Sequence, residues 1–123
     1  MSEKQKIFYV DDEPINLLLF ESNFKKIYEV LTAPDGSEGL KVLDEHPDIM
    51  VIISDMKMPG MNGIEFITKA KEKFPNKKFF ILTGFEITDE IRAALDSGLI
   101  LEYFSKPFDV KRMHSIIADA LVN

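Results

Sequence analysis

The 123-residue chain has room for one domain and one hydrophobic core, and a hydrophobic fraction of 46% is enough to build that core. Fifteen basic against twenty-one acidic side chains leave a formal charge of −6, which opposes direct binding to nucleic-acid phosphates or to anionic membranes. Cysteine is absent, no apolar signal segment follows the polar stretch Met1 to Lys6, and the apolar runs fall far short of the roughly 20 residues of a spanning helix, so a cytoplasmic protein with no membrane anchor, disulfide or thiolate metal site is expected.

Apolar runs alternate with stretches of helical period. Ile7-Phe8-Tyr9-Val10 is continuous and rich in β-formers, the pattern of a strand covered on both faces. Asp11 ends it, Pro14 suits the first turn of a helix, and Leu17, Phe20, Phe24 and Ile27 recur as that helix's buried stripe. Tyr28 to Thr32 reads as a shorter strand. Asp35-Gly36-Ser37 is turn chemistry able to cap a helix carrying Leu40 and Leu43, which Pro47 closes. Ile49-Met50-Val51-Ile52-Ile53 is the third strand. Ile64, Ile67, Ala70 and Phe74 mark the next helix, broken at Pro75-Asn76 before the strand Phe79-Phe80-Ile81-Leu82. Ile87, Ile91, Ala94 and Leu95 mark a helix stopped near Gly98; Leu99 to Phe104 is the last strand, and Val110, Met113, Ile117 and Ala120 line the final helix. Such alternation predicts an α/β domain, a parallel sheet with helices on both faces, because right-handed crossovers leave few other arrangements. With no low-complexity linker and no short repeat, residues 1–123 are expected to form a single domain without an output domain.

In sheets of this kind ligands bind beyond the carboxyl ends of the strands. Asp11-Asp12, Asp55, Thr83 and Lys106-Pro107 each sit just past an apolar run. Each has an ordinary reading. Asp11-Asp12-Glu13 ahead of Pro14 suits a helix N-terminus, Asp55 a turn, Thr83-Gly84 a helix cap, and Lys106-Pro107 a surface turn with a candidate cis bond. Their company favours a joint reading, since two like charges about 4 Å apart repel by roughly 4 kcal/mol at an effective dielectric of 20, and something cationic should offset that. Magnesium fits: it takes hard oxygen ligands and is usually held by one or two carboxylates plus phosphate oxygens. Asp55, at the end of the strand expected to be central, is then the best-placed carboxylate to attack phosphorus. Thr83 offers a hydroxyl to a phosphoryl oxygen and Lys106 an ammonium to neutralise it.

Val10-Asp11-Asp12-Glu13-Pro14, Ile53-Ser54-Asp55-Met56-Lys57-Met58-Pro59-Gly60-Met61-Asn62-Gly63, Leu82-Thr83-Gly84 and Tyr103-Phe104-Ser105-Lys106-Pro107-Phe108, in that order and spacing, resemble the receiver domain of two-component response regulators over nearly the whole chain. The resemblance implies a doubly wound, flavodoxin-like sheet of five parallel strands in the order 2-1-3-4-5. It implies Asp55 as acceptor of a phosphoryl group from a histidine kinase or phosphotransfer protein. Magnesium would be held by Asp11, Asp12, Asp55 and the backbone carbonyl of Lys57, and Thr83 and Lys106 would grip the phosphoryl oxygens. It further implies Thr83 and Tyr103 as a switch pair that remodels the face of the fourth helix, last strand and last helix. Signalling would run through a downstream protein effector or an output domain outside this chain, and dimerisation through that face is left open.

Two departures qualify the resemblance. Leu99-Ile100-Leu101-Glu102 is longer by one residue and more apolar than the family pattern, which predicts an unusual or sticky signalling face. Lys57 and Phe85 lie two positions after Asp55 and Thr83, where the family varies its dephosphorylation rate, and Phe85 is expected to shield the acyl phosphate from water. Three rival readings fit less well: a binding module that is never phosphorylated, which has no need of all five polar residues; an aspartate-nucleophile phosphatase, which wants Asp-x-Asp; and a flavodoxin relative, whose phosphate the acidic loop would repel.

Overall fold

A computed structural model describes residues 4–84 and 87–122. Along them run β1 (Lys6–Val10), α1 (Pro14–Phe24), β2 (Glu29–Ala33), α2 (Gly36–Glu45), β3 (Val51–Asp55), α3 (Gly63–Lys73), β4 (Lys78–Thr83), α4 (Asp89–Ser97), β5 (Glu102–Ser105) and α5 (Val110–Val122). The strands form one parallel sheet in the order β2-β1-β3-β4-β5, as expected. The winding reverses between β1 and β3, whose registers Ile7↔Val51 through Val10↔Ser54 bring Asp11 and Asp55 to the same edge.

Side chains alternate across the sheet with the period of two that a pleated strand imposes. Ile7 and Tyr9 of β1 join Val51, Ile53, Phe80, Leu82 and Phe104 beneath α1 and α5, where Phe20, Phe24, Met113 and Ile117 cover them. Phe8 and Val10 point the other way, with Ile52, Phe79 and Ile81, under Leu43 of α2, Phe66 and Ile67 of α3 and Ile91 of α4. Both faces are sealed, which explains why the central strands read as unbroken apolar runs.

The helix starts follow local chemistry. Asp35 accepts from the Glu38 amide, Thr88 from the Ile91 amide, and Asn62 with Glu65 forms a reciprocal capping box at the head of α3. Pro14 occupies the first turn of α1. Thr88 rather than Thr83 caps α4, so Thr83 remains part of β4.

Some strand bounds shift by a residue from the sequence expectations, β2 to Glu29–Ala33 and β4 to Lys78–Thr83, and Ile87 falls ahead of α4; three further differences matter more for the core. The third strand starts at Val51 and continues through Ser54 and Asp55, because pairing with Ile81 and Leu82 of β4 sets its extent. Ile49 is buried in a turn and Met50 is exposed. The last strand starts at Glu102: Gly98 stops α4 at φ +80, the Ile100 amide donates to Ala94, and Ile100 plugs the core, so this apolar stretch closes a helix instead of lengthening a strand. Ile27 falls beyond α1 and is 43% exposed, while Phe20 and Phe24 carry the burial of that helix.

Candidate functional site

Backbone pairing carries the ladder one residue past the strands and fixes the polar residues in space. The Asp11 amide donates to Ala33 at 3.2 Å, Met56 to Leu82 at 3.1 Å and Lys106 to Thr83 at 2.8 Å. Asp11, Asp55, Thr83 and Lys106 thereby stand at adjoining strand ends, and the Lys106–Pro107 peptide is cis. Gly63 brings the following loop home: its amide donates to the Met56 carbonyl at 2.9 Å, and a Cβ there would sit 2.4 Å from the Asp55 carbonyl oxygen. Only glycine lets the head of α3 close onto the end of β3.

An open cleft of about 380 Å³ results, lined by Asp12, Glu13, Asn16, Asp55, Lys57, Thr83, Gly84 and Lys106. Asp11 is fully buried next to it. Carboxylate oxygens of Asp11, Asp12 and Asp55 lie within 4.8 Å of one another, the only such acidic group among the described residues. The Lys106 ammonium is 3.0 Å from Asp55 Oδ1 and 3.7 Å from Asp11 Oδ2. Burial pushes the Asp55 carboxyl above its ordinary pKa, Lys106 pulls against that shift, and the neighbouring Asp11 and Asp12 add to it.

Asp11 is held most firmly. Oδ1 accepts from the Glu13 amide at 3.0 Å, and Oδ2 accepts from Asn16 Nδ2 at 3.1 Å and from the Tyr9 hydroxyl. Burial, the hydrogen bond to Asp11 and three nearby carboxylates drive the Tyr9 pKa far above its usual value, which keeps its hydroxyl a donor. The sequence by itself does not mark Tyr9 or Asn16 as site residues. The available signal for Tyr9 was a polar-tipped ring two residues before Asp11, hence on the same face of the strand; Asn16 had none.

The donor set suits a small hard cation. Octahedral ligands at about 2.1 Å are separated by about 3.0 Å when adjacent and about 4.2 Å when opposite, so oxygens within 4.8 Å need close by little to share one ion. Lys57 lines the cleft. Tyr103 does not: it is half-buried on β5, packed against the α3 and α4 side of the core. Thr83 pairs with Ser105, so Tyr103 lies two residues back on the neighbouring strand. Leu101 is 53% exposed nearby. Phe85 lies outside the described residues.

An acidic, lysine-bearing cleft at the switch point of a doubly wound sheet places the chain among the open α/β domains that bind ligands beyond the carboxyl ends of their strands. The family model of the response regulator receiver domain matches residues 7–118, and the chain belongs to that family. Sporulation initiation phosphotransferase F of Bacillus subtilis is 34% identical over 115 residues, 92% of this chain and 90% of that protein. A response regulator receiver domain protein from Clostridium thermocellum superposes with a TM-score of 0.87 at 33% identity, covering 94% of this chain and 92% of that one. The response regulator TrrA of Thermotoga maritima, solved in complex with Mg(2+)-BeF, superposes with a TM-score of 0.81 at 28% identity over 94% and 98% of the two chains. Longer regulators match over one part: the chain spans 22% of the hydrogenase transcriptional regulatory protein HoxA of Cupriavidus necator. Among the described residues, no helix is long and apolar enough to cross a membrane.

Proposed function

We propose that Asp55 accepts a phosphoryl group from a phosphohistidine on a kinase or phosphotransfer protein, in a magnesium-dependent step. The observation that carries this reading is the single cleft holding three carboxylates within 4.8 Å and an ammonium 3.0 Å from Asp55. A carboxylate oxygen of Asp55 attacks phosphorus, the phosphorus–nitrogen bond of the donor breaks, and its electron pair leaves with the imidazole, so an acyl phosphate replaces the carboxylate. Asp11, Asp12, Asp55 and the backbone carbonyl of Lys57 would hold the magnesium. Bound there, the ion supplies positive charge against three carboxylates and the incoming phosphoryl oxygens. Lys106 exchanges its ion pair with Asp55 for one with the phosphoryl group, and Thr83 donates its hydroxyl to a phosphoryl oxygen. The same groups would assist hydrolysis of the acyl phosphate, so the domain acts as a timed acceptor in the cytoplasm.

The rim of the cleft suits a protein donor. Ile15, Leu18 and Leu19 of α1 are 63%, 65% and 49% exposed, and Asn16 between them lines the cleft itself. Leu19, Pro107 and Phe108 continue the apolar surface past Lys106. A donor helix seated there would present its histidine to Asp55.

Output would follow from Thr83 moving toward the phosphate and Tyr103 turning inward. A shift from 1:99 to 99:1 needs about 5.5 kcal/mol of differential stabilisation, for which new charge-assisted bonds to the phosphoryl oxygens are the source. The remodelled α4–β5–α5 face would signal by contact with an effector protein, an output domain or a second copy.

Intact mass after incubation with a small-molecule phosphodonor, with and without magnesium, tests the reading. One added phosphoryl group, magnesium-dependent and absent in Asp55→Asn, is expected. No gain in folded protein would favour a binding module that works without phosphorylation.

A further inference from the structure

We propose that Tyr9, seconded by Asn16, is a positioning residue for the cation site, acting through Asp11; this rests on the magnesium-dependent acceptor reading above. A carboxylate offers about four lone-pair positions. Tyr9 and Asn16 occupy those of Oδ2 and the Glu13 amide takes one on Oδ1. Both oxygens of the carboxylate that shares the cluster with Asp12 and Asp55 are thus held by donors, with the Lys106 ammonium a further 3.7 Å from Oδ2.

The Tyr9 ring cannot follow Asp11 if the carboxylate swings. It is fully buried, stacked on Phe20 at 4.4 Å between centroids and 20° between planes, and met edge-on by Phe108 at 6.1 Å. Phe108 also meets Phe20 edge-on at 6.0 Å, which closes the cage. The hydroxyl is therefore a fixed point, and the strand's two-residue period sets it on the same side as Asp11. Asn16 reaches the same oxygen from the first turn of α1, whose start Pro14 fixes. Two neutral donors thus orient the buried carboxylate without placing another cation in the cleft, which leaves its negative charge available to an incoming ion. Outer partners that orient a metal-binding group typically change affinity by tenfold or more when removed.

Tyr9→Phe keeps the stacked ring and removes only the hydroxyl, and Asn16→Ala changes a residue at the cleft rim. Magnesium affinity by calorimetry, and the magnesium dependence of Asp55 phosphorylation by a small-molecule donor, are measured on the whole chain, with melting temperature in chelator alongside. Tyr9→Phe is expected to weaken magnesium about tenfold and raise the half-saturating magnesium concentration equally, with the rate at saturating magnesium within twofold of the parent. Asn16→Ala is expected to give a shift of about threefold in the same direction, and serves as the test if Tyr9→Phe does not fold. A parent that binds magnesium and is phosphorylated, with both variants within twofold of it in affinity, overturns the positioning role. A lowered saturating rate at unchanged magnesium affinity overturns it as well. A parent that neither binds magnesium nor is phosphorylated overturns the acceptor reading itself.

Discussion

Replacing Asp55 with asparagine should stabilise the protein when magnesium is absent. With carboxylate oxygens up to 4.8 Å apart, each of the two like-charge pairs involving Asp55 costs about 3.5 kcal/mol at an effective dielectric of 20. The Lys106 pair at 3.0 Å contributes about 5.5 kcal/mol in the opposite sense on the same scale. Asp55 is left about 1.5 kcal/mol unfavourable before the cost of its burial is added, and Lys106 in the variant still has Asp11 at 3.7 Å. The neutral, nearly isosteric amide should raise the melting temperature by about 5 °C for a domain of this size. The fold holds the Asp55 proton more tightly than the unfolded chain does, since its pKa is raised. The ionised carboxylate therefore costs stability progressively as pH rises from the ordinary value of 3.8 through the raised one, and the gap between variant and parent should open across that window and close toward acid. Thermal unfolding followed by circular dichroism at pH 7.5 in chelator, and again at pH 4, gives the gap directly. Magnesium should then narrow it, since a ligand at ten times its dissociation constant stabilises the parent by about 1.4 kcal/mol. A variant that melts at or below the parent in chelator at pH 7.5 would refute the charge accounting.

Lys106→Ala should slow phosphorylation by a small-molecule donor at least tenfold and cost about 2 kcal/mol in chelator, a figure reduced for the lysine's partial exposure; adding Asp55→Asn to it should restore much of that stability in a denaturant melt. Gly63→Ala forces a Cβ to within 2.4 Å of the Asp55 carbonyl and 2.8 Å of Ile81, so its denaturant midpoint should fall by an amount worth about 3 kcal/mol; an unchanged midpoint would mean the α3 head is not seated so closely. Leu18→Glu should slow transfer from a phosphohistidine protein about tenfold while the small-molecule reaction proceeds as before, because only the protein donor needs the apolar rim. Equal rates from the protein donor would place its docking surface elsewhere.

The sequence alone determined the element types and the chemistry at their ends. Unbroken apolar runs announce strands buried on both faces, and the polar residue that stops each run lies where a parallel sheet gathers its strand ends, so Asp11, Asp12, Asp55, Thr83 and Lys106 could be assembled without coordinates. Both signals are local in the chain. Tertiary structure alone decided the rest, because it depends on partners far away in sequence. The extent of β3 is set by the ladder with β4, so hydrophobicity placed it two residues too early. Ile100 looks like strand and serves as a plug, since Gly98 turns the chain back onto Ala94. Tyr9 looks like any ring in a strand until Phe20 and Phe108, brought in by α1 and by the loop before α5, hold its hydroxyl on Asp11. The need for glycine at position 63 is likewise a distance to the Asp55 carbonyl, and a distance between such segments exists only once the sheet has formed.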